Sequence, residues 1–142
     1  MRISEFEFRA RSAEETISAG ERLAAYLEAG DVLCLKGDLG AGKTTFVKGI
    51  IRALQGKDTL FLGSPTYTLI QEYRFKSPYV FHFDFYRLKS AGEIWNIGWE
   101  EYCGSDGVCV VEWADLFPEL IPAGACWLEF SKRGEAVLKR GL

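Results

Sequence analysis

The residues with the most specific chemistry form a glycine-rich segment that ends in a lysine and a threonine. Residues 37–44 match the pattern G-x-x-x-x-G-K-[ST]. Glycines let a backbone curl until successive N–H groups point at one phosphate chain, and a helix N-terminus adds positive partial charge. The pattern predicts a phosphate-binding loop made of Gly37, Asp38, Leu39, Gly40, Ala41, Gly42, Lys43 and Thr44.

The last two residues of this loop indicate the ligand. Lys43 can reach the β- and γ-phosphates of a nucleotide, and the Thr44 hydroxyl is a hard oxygen suited to Mg²⁺. We therefore expect a nucleoside triphosphate and Mg²⁺ as cofactors. A mere glycine turn beside a solvated lysine is disfavoured, because the segment lies between an apolar run at 32–35 and a helical apolar repeat that stops at Gly56.

Glu112 is the candidate for a second metal ligand. It follows the apolar run 108–111, and in this architecture the second acid on the magnesium side stands at the carboxyl end of a neighbouring buried strand. A surface charge at the end of a strand is the alternative, and the phosphate-binding pattern favours the ligand.

Asp84 is a candidate for the residue that promotes hydrolysis of the nucleotide. The period of two along a strand places it on one face with His82 and Tyr86. Asp84 could orient a water near the γ-phosphate or could be a solvated acid on a polar face, and the two interpretations stay open. The other face carries Phe81, Phe83 and Phe85, which should pack in the core.

Two further features have both a functional and an ordinary interpretation. Ser64-Pro65-Thr66 could report the presence of a γ-phosphate through its hydroxyls, or could be a plain turn. Trp113, beside Glu112, could stack on a base or a partner protein, or could belong to the core.

The elements that must position these residues alternate between helix and strand. Ser12 begins a capping box, and the apolar stripe after it stops at Gly30. The chain predicts a single domain over 1–142, an α/β P-loop NTPase with a mixed parallel/antiparallel sheet flanked by helices. Its further elements are a strand at 32–35, a helix to Gly56, a hairpin at 67–75 and 79–88, a helix at 91–102, and strands at 108–111, 125–130 and 136–139.

Composition narrows the classes of function. Apolar residues make up 48% and charged residues 26%, with a net charge of −3, so no global positive field would attract nucleic acid. We find no apolar leader and no run near the roughly 20 residues of a membrane span, and we expect a cytoplasmic protein. The four cysteines lack zinc spacing, and Cys34, Cys109 and Cys126 should be small buried hydrophobes.

Four segments in register closely resemble the bacterial TsaE (YjeE) family, and the resemblance runs from Glu15 to about Gly134. The segments are 37–45, 64–69 (Ser-Pro-Thr-Tyr-Thr-Leu), 82–88 (His-Phe-Asp-Phe-Tyr-Arg-Leu) and 111–113 (Val-Glu-Trp). Together they are far more specific than the phosphate-binding pattern alone.

The resemblance implies an ATPase of tRNA threonylcarbamoyladenosine (t6A) biosynthesis. Such a protein would reset a complex of TsaB and TsaD and contact tRNA only through that complex, while TsaC supplies the threonylcarbamoyl-adenylate. Because the sequence shows no acid–base group set for a second substrate, we also expect the isolated protein to hydrolyse ATP slowly. The resemblance implies further that Thr44 and Glu112 hold magnesium and that Asp84 is needed for hydrolysis, with Lys43 on the phosphates. The resemblance also implies that Thr16 and Arg133 approach the nucleotide, and Thr45, Thr66 and Trp113 are further candidates for nucleotide binding.

Competing functions remain. A small-molecule kinase uses the same loop but usually carries an arginine-rich lid, whereas the arginines here are scattered. A non-catalytic nucleotide-dependent switch would bind without turnover. A GTPase is disfavoured because the [NT]-K-x-D guanine motif is absent. Candidate surfaces for a partner are Ser64-Pro65-Thr66 and the aromatic segment 95–102, which contains Trp99. The alternative is that these aromatic side chains complete the core.

Overall fold

Seven strands form one mixed sheet in a computed structural model that describes residues 1–131 and 134–139. In space the strands follow the order β1-β7-β6-β2-β5-β4-β3. The inner strands β6, β2, β5 and β4 run parallel, while β1, β7 and β3 join antiparallel at the two edges. The bounds are β1 Glu7–Arg9, β2 Val32–Lys36, β3 Ile70–Tyr73, β4 Tyr79–Asp84, β5 Gly107–Glu112, β6 Cys126–Phe130 and β7 Glu135–Lys139.

Helices cover both faces of the sheet. Helices α1 (Ala13–Ala24) and α2 (Lys43–Gln55) contribute Leu23 and Phe46 to the hydrophobic cluster on one face. Helices α3 (Ala91–Trp95) and α4 (Trp99–Cys103), together with 3₁₀ turns at Ala114–Leu116 and Pro118–Leu120, complete the cluster on the other face.

Glycine permits the close contact between α1 and α2. A Cβ at Gly49 would lie 2.1 Å from the carbonyl oxygen of Ile17, and a Cβ at Gly20 would lie 2.2 Å from that of Phe46. Such distances are far inside van der Waals contact, so any larger residue would push the two helices apart. This contact seats α2, whose first residue is Lys43, against the sheet.

The alternation of side chains along β4 and β5 puts the candidate site residues on one face of the sheet. On β4, Val80 joins the cluster beneath α1 and α2, whereas Phe81 and Phe83 join the opposite cluster. The period of two therefore points His82 and Asp84 toward the α2 side. On β5 the same rule places Glu112 on that side, since Val108 and Val110 belong to the α2 cluster.

Several predictions of local structure are confirmed. Strands β3 and β4 form the expected antiparallel hairpin, and Phe81, Phe83 and Phe85 are buried in the core. The Ser12 side chain caps α1 by accepting from the Glu15 N–H. Cys34, Cys109 and Cys126 are buried, as predicted.

Other predictions were wrong. The helix expected over 91–102 is two short helices, because Gly98 adopts φ 86° and breaks the helical path. Trp99 is buried beside Phe83 rather than exposed on a partner surface, although Trp95 remains exposed. Helix α1 ends at Ala24, not at Gly30, and the edge strand β1 was not predicted.

The part of the chain that the structure describes contains no helix with the length and apolar character needed to cross a membrane.

Candidate functional site

The glycine-rich loop joins the end of β2 to the start of α2. Gly40 and Gly42 have φ of 77° and 99°, in the left-handed region that favours glycine. Among the described residues, no side chain caps the N-terminus of α2. The N–H groups of its first turn therefore carry uncompensated positive partial charge, which suits an anion such as phosphate.

The loop forms one wall of a cleft of about 280 Å³ at the carboxyl ends of β4 and β5. Ligands commonly bind outside the carboxyl ends of parallel strands. Most of the residues predicted for the site meet here. The cleft is lined by Leu39, Gly40, Ala41, Gly42, Lys43, Thr44, Thr45, Ser64, Thr66, Asp84, Tyr86, Glu112 and Trp113.

Lys43 is held against the loop and against an aromatic ring. Its Nζ donates to the carbonyl oxygen of Gly37 and, at 3.0 Å, to that of Asp38. The same Nζ lies 4.2 Å from the centroid of the Trp113 ring, a cation–π contact. Burial lowers the pKa of Lys43, and nearby carboxylates, led by Glu112, oppose that shift. The Lys43 amine therefore lies at the mouth of the glycine-rich loop, between backbone carbonyl oxygens and the Trp113 ring.

Glu112 is tied to helix α2 and to strand β4. It is 2% exposed, and its Oε1 accepts a hydrogen bond of 2.8 Å from Thr44 Oγ1. Its Oε2 lies 2.6 Å from His82 Nε2. The prediction that Glu112 stands at the carboxyl end of a buried strand is confirmed, and the alternative of a surface charge is wrong.

The Thr44 hydroxyl and the Glu112 carboxylate fit a magnesium ion that arrives with a nucleotide. Mg²⁺ in such sites takes one or two protein oxygens and completes its shell with phosphates and waters. The Thr44 hydroxyl and the Glu112 carboxylate supply two hard oxygens side by side. No group of three or more metal-binding His, Cys, Asp or Glu side chains occurs in ranges 1–131 and 134–139, so nothing there resembles a cage for a metal alone.

Asp84 is tied to a loop. It is 4% exposed, so the interpretation as a solvated acid is wrong. Its Oδ2 accepts from Ser64 Oγ at 2.5 Å and from Thr66 Oγ1 at 3.3 Å, and its Oδ1 accepts from the Tyr86 N–H at 2.8 Å. The hydroxyls of the Ser64-Pro65-Thr66 segment thus contact the candidate hydrolytic acid, which a plain turn would not require.

The remaining predicted residues differ in their relation to the cleft. Trp113 is half-buried at the cleft wall, with its ring 4.9 Å from that of Tyr86 and its backbone at φ 60°. Thr16 lies behind the loop on α1, where its methyl group is 3.7 Å from the position of a Cβ at Gly42. Arg133 lies outside the described residues.

Sequence reasoning missed the role of His82 in this arrangement. The ring is fully buried and bonds to Glu112, whereas the sequence indicated only that His82 shares a face with Asp84. The signal that could have found it is the match between two parallel strands, since β4 and β5 pair Asp84 with Glu112 and His82 with Val110. That register follows from the full sheet and not from the local pattern.

Comparison with known proteins gives a consistent result. A family model described as "Threonylcarbamoyl adenosine biosynthesis protein TsaE" matches residues 10–141. A Bacillus subtilis protein named tRNA threonylcarbamoyladenosine biosynthesis protein TsaE is 38% identical over 133 residues, which are 94% of this chain and 82% of that protein. The crystal structure of Bacillus subtilis YdiB is similar with a TM-score of 0.77 at 34% identity, covering 97% of this chain and 85% of that one.

Proteins of the same name in other bacteria are similar over shorter stretches. The Aquifex aeolicus protein is 38% identical over 104 residues, 73% of each chain. The Rickettsia conorii protein is 39% identical over 110 residues, which cover 78% of this chain but 62% of that protein. The family match includes the glycine-rich loop, both acids of the cleft and Trp113. On these grounds the chain belongs to the TsaE family of threonylcarbamoyl adenosine biosynthesis proteins.

Proposed function

We propose that this chain is a P-loop ATPase that binds ATP with Mg²⁺, hydrolyses it to ADP and phosphate, and so serves tRNA threonylcarbamoyladenosine biosynthesis. The observation that carries the proposal is the 2.8 Å hydrogen bond from Thr44 to Glu112, directly beside the glycine-rich loop. A hydroxyl and a carboxylate beside an anion-binding loop are the ligands that a magnesium nucleotide requires.

The loop and Lys43 would bind the phosphates. The backbone N–H groups of the first turn of α2 would donate hydrogen bonds to the phosphate oxygens, and the left-handed glycines Gly40 and Gly42 let the phosphates approach the backbone closely. Lys43 would exchange the carbonyl oxygens of Gly37 and Asp38 for the β- and γ-phosphate oxygens. This exchange replaces two neutral acceptors by charged ones.

Thr44 and Glu112 would hold the magnesium ion. When bound, Mg²⁺ neutralises charge on the β- and γ-phosphate oxygens. The chain itself contributes orientation, because Glu112 is buried and has a hydrogen-bond partner on each carboxylate oxygen. The ligand is therefore in place before the nucleotide arrives.

Asp84 would orient the attacking water. Each carboxylate oxygen has two lone pairs, so Oδ1 retains one after accepting from the Tyr86 N–H. Asp84 is the register partner of Glu112 on the adjacent parallel strand, so the two acids stand side by side at the carboxyl ends of β4 and β5. In this role Asp84 accepts a proton or a hydrogen bond from water, and Ser64 and Thr66 hold its other oxygen.

ATP hydrolysis would drive a change in a partner complex of TsaB with TsaD. The chain would contact tRNA only through that complex. The described lining of the cleft contains no arginine, whereas a small-molecule kinase usually closes an arginine-rich lid on the phosphates, so the kinase is disfavoured. The segment next to the cleft exposes apolar side chains, notably Leu62 and the 85% exposed Tyr67. Exposed apolar groups that flank a nucleotide-linked loop suit a partner surface.

Hydrolysis is tested by removing the phosphate-binding cation. Lys43→Ala should lower the rate of phosphate release from ATP by at least about 100-fold. Lys57→Ala removes an exposed lysine outside the cleft and should keep the rate within about 2-fold of wild type. EDTA should abolish the wild-type rate. A Lys43→Ala protein that hydrolyses ATP at the wild-type rate refutes the ATPase.

The pathway role needs a separate test. We would measure multiple-turnover threonylcarbamoylation of tRNA by TsaB, TsaC and TsaD with wild-type protein, with Lys43→Ala and with neither. Of these three conditions, only the addition of wild-type protein should raise turnover. If wild type neither binds TsaB–TsaD nor changes turnover, the role in the complex fails, and transfer of phosphate to an added sugar or nucleoside would favour the kinase instead.

A further inference from the structure

We propose that His82 is a positioning residue for the metal half of the cleft: its Nε2 holds the Glu112 carboxylate so that the other oxygen faces Thr44. The inference rests on the proposed function, because it assigns a supporting partner to the proposed magnesium ligand. It adds a residue that is not among those lining the cleft.

The hydrogen bonds around Glu112 define the role. The carboxylate has one partner on each oxygen, Thr44 Oγ1 at 2.8 Å and His82 Nε2 at 2.6 Å. A carboxylate that binds a metal must be deprotonated and can then only accept, so in the proposed role Nε2 would carry the hydrogen. If Glu112 Oε1 served as a metal ligand in place of its bond to Thr44, the His82 bond would be the side-chain hydrogen bond left to orient Glu112.

Packing does not account for an imidazole at this place. The ring is fully buried, and its Nδ1 has no hydrogen-bond partner among the described residues. A buried polar atom without a partner costs free energy, which an apolar side chain would avoid. Val80, two residues earlier on the same face of β4, is such a side chain. The one contact that an apolar residue could not make is the bond to Glu112.

The ring itself is held in place. Its plane is nearly parallel to that of Phe61, at 18° and with the centroids 6.2 Å apart. Because strand β4 fixes the backbone of His82 and Phe61 covers the ring, Nε2 has a defined position before it meets the carboxylate. A fixed donor can impose a fixed orientation on a flexible glutamate.

Outer partners of this kind are expected to tune metal affinity. Groups that orient a metal ligand typically change affinity or activity by about 10–100-fold when they are removed. The effect should appear in binding of the metal and not in binding of the nucleotide without metal, since His82 does not line the phosphate loop.

The test compares two substitutions of nearly equal size. His82→Met removes the donor and His82→Gln keeps an N–H donor, while both side chains have similar length and volume. We would titrate each protein with Mn²⁺ in the presence of ADP by electron paramagnetic resonance, measure ADP binding in EDTA, and record thermal unfolding. His82→Met should weaken Mn²⁺ binding about 10-fold or more, and His82→Gln should stay within about 3-fold of wild type. ADP binding in EDTA should change by less than about 2-fold in both.

The outcomes separate this inference from the proposed function. Equal Mn²⁺ affinity of wild type and His82→Met overturns the positioning role alone. The proposal is also overturned if both variants lose Mn²⁺ affinity, ADP binding in EDTA and thermal stability together. That pattern is expected of a residue that only supports the fold. Failure of the wild-type chain to bind Mn²⁺ with ADP refutes the proposed function itself.

A double substitution sharpens the assignment. In a Glu112→Gln background, His82→Met should weaken Mn²⁺ binding by much less than it does alone, since the group that His82 positions is already impaired. Effects that multiply independently would mean that His82 acts through some other residue, contrary to the proposal.

Discussion

Glu112 and Asp84 occupy equivalent places in the sheet but are held by different kinds of structure. They are register partners at the carboxyl ends of two adjacent parallel strands, and each is less than 5% exposed. Glu112 is bonded to side chains of helix α2 and strand β4. Asp84 is bonded to hydroxyls of the Ser64-Pro65-Thr66 segment, which lies between regular elements.

The difference suggests a division of roles. An acid bound between a helix and a strand moves only if the core moves, which suits a metal ligand that must be in place for every nucleotide. An acid bound to a connecting segment follows that segment, so a partner that shifts residues 64–66 would alter Asp84 and leave Glu112 in place. Metal binding and hydrolysis are then separable by mutation.

Asp84→Asn should give the largest separation. The amide keeps the shape but cannot accept a proton, and loss of a general base or water-orienting acid typically costs about 10²–10⁴-fold in rate. We expect single-turnover ATP hydrolysis to fall by about that factor while Mn²⁺ affinity with ADP stays within about 3-fold. A matching loss of metal affinity would show that both acids are ligands and would erase the contrast.

Glu112→Gln should act on both quantities. The amide is a poorer ligand for a hard cation, so Mn²⁺ affinity with ADP should fall by at least about 10-fold, and hydrolysis should fall with it. ADP binding in EDTA serves as the control and should be unchanged. If Glu112→Gln abolished hydrolysis with normal metal affinity, Glu112 would share the role assigned to Asp84.

Ser64→Ala tests whether the segment controls its acid. A hydrogen bond to a charged group contributes about 1.5–3 kcal/mol, so hydrolysis should fall by roughly 10-fold or more with no change in metal affinity. Thr66→Val should have a smaller effect, since its bond to Asp84 measures 3.3 Å against 2.5 Å for Ser64. The order of the two rates, measured under single-turnover conditions, decides whether the segment acts through these bonds.

The parts of this site that follow from local sequence could be predicted, and those that depend on register could not. The loop at 37–44 and the position of Glu112 follow from a motif and from an apolar run, which are local signals. The bond from His82 to Glu112 joins residues that are distant along the chain and adjacent only when β4 pairs with β5. The period-two alternation shows on which face of a strand a side chain lies, but it does not show which strand pairs next to it.

The fold shows the same limit. Strand β1 has only three residues, and it pairs with β7, which lies near the other end of the sequence. Because the two strands are so far apart along the chain, no local pattern indicates this pairing. Trp99 lies in the segment 95–102 that was a candidate partner surface, yet it packs against Phe83 and Phe85 once Gly98 turns the chain. Tertiary packing decided the burial of that side chain.

The smallest expected effect separates the ring of Trp113 from its backbone. Trp113 follows Glu112 and adopts φ 60°, a conformation that costs a non-glycine residue about 1–2 kcal/mol. Trp113→Ala and Trp113→Gly both remove the ring beside Lys43, so each should weaken ATP binding by about 2- to 20-fold, the range of a cation–π contact. The glycine variant should be the more stable of the two by about 1 kcal/mol in denaturant unfolding, because glycine adopts this backbone freely. If Thr44 and His82 alone fix Glu112, both variants should bind Mn²⁺ with ADP equally well. A weaker metal affinity in the glycine variant would mean that the turn at Trp113 also positions Glu112, and the metal ligand would then depend on a loop as Asp84 does.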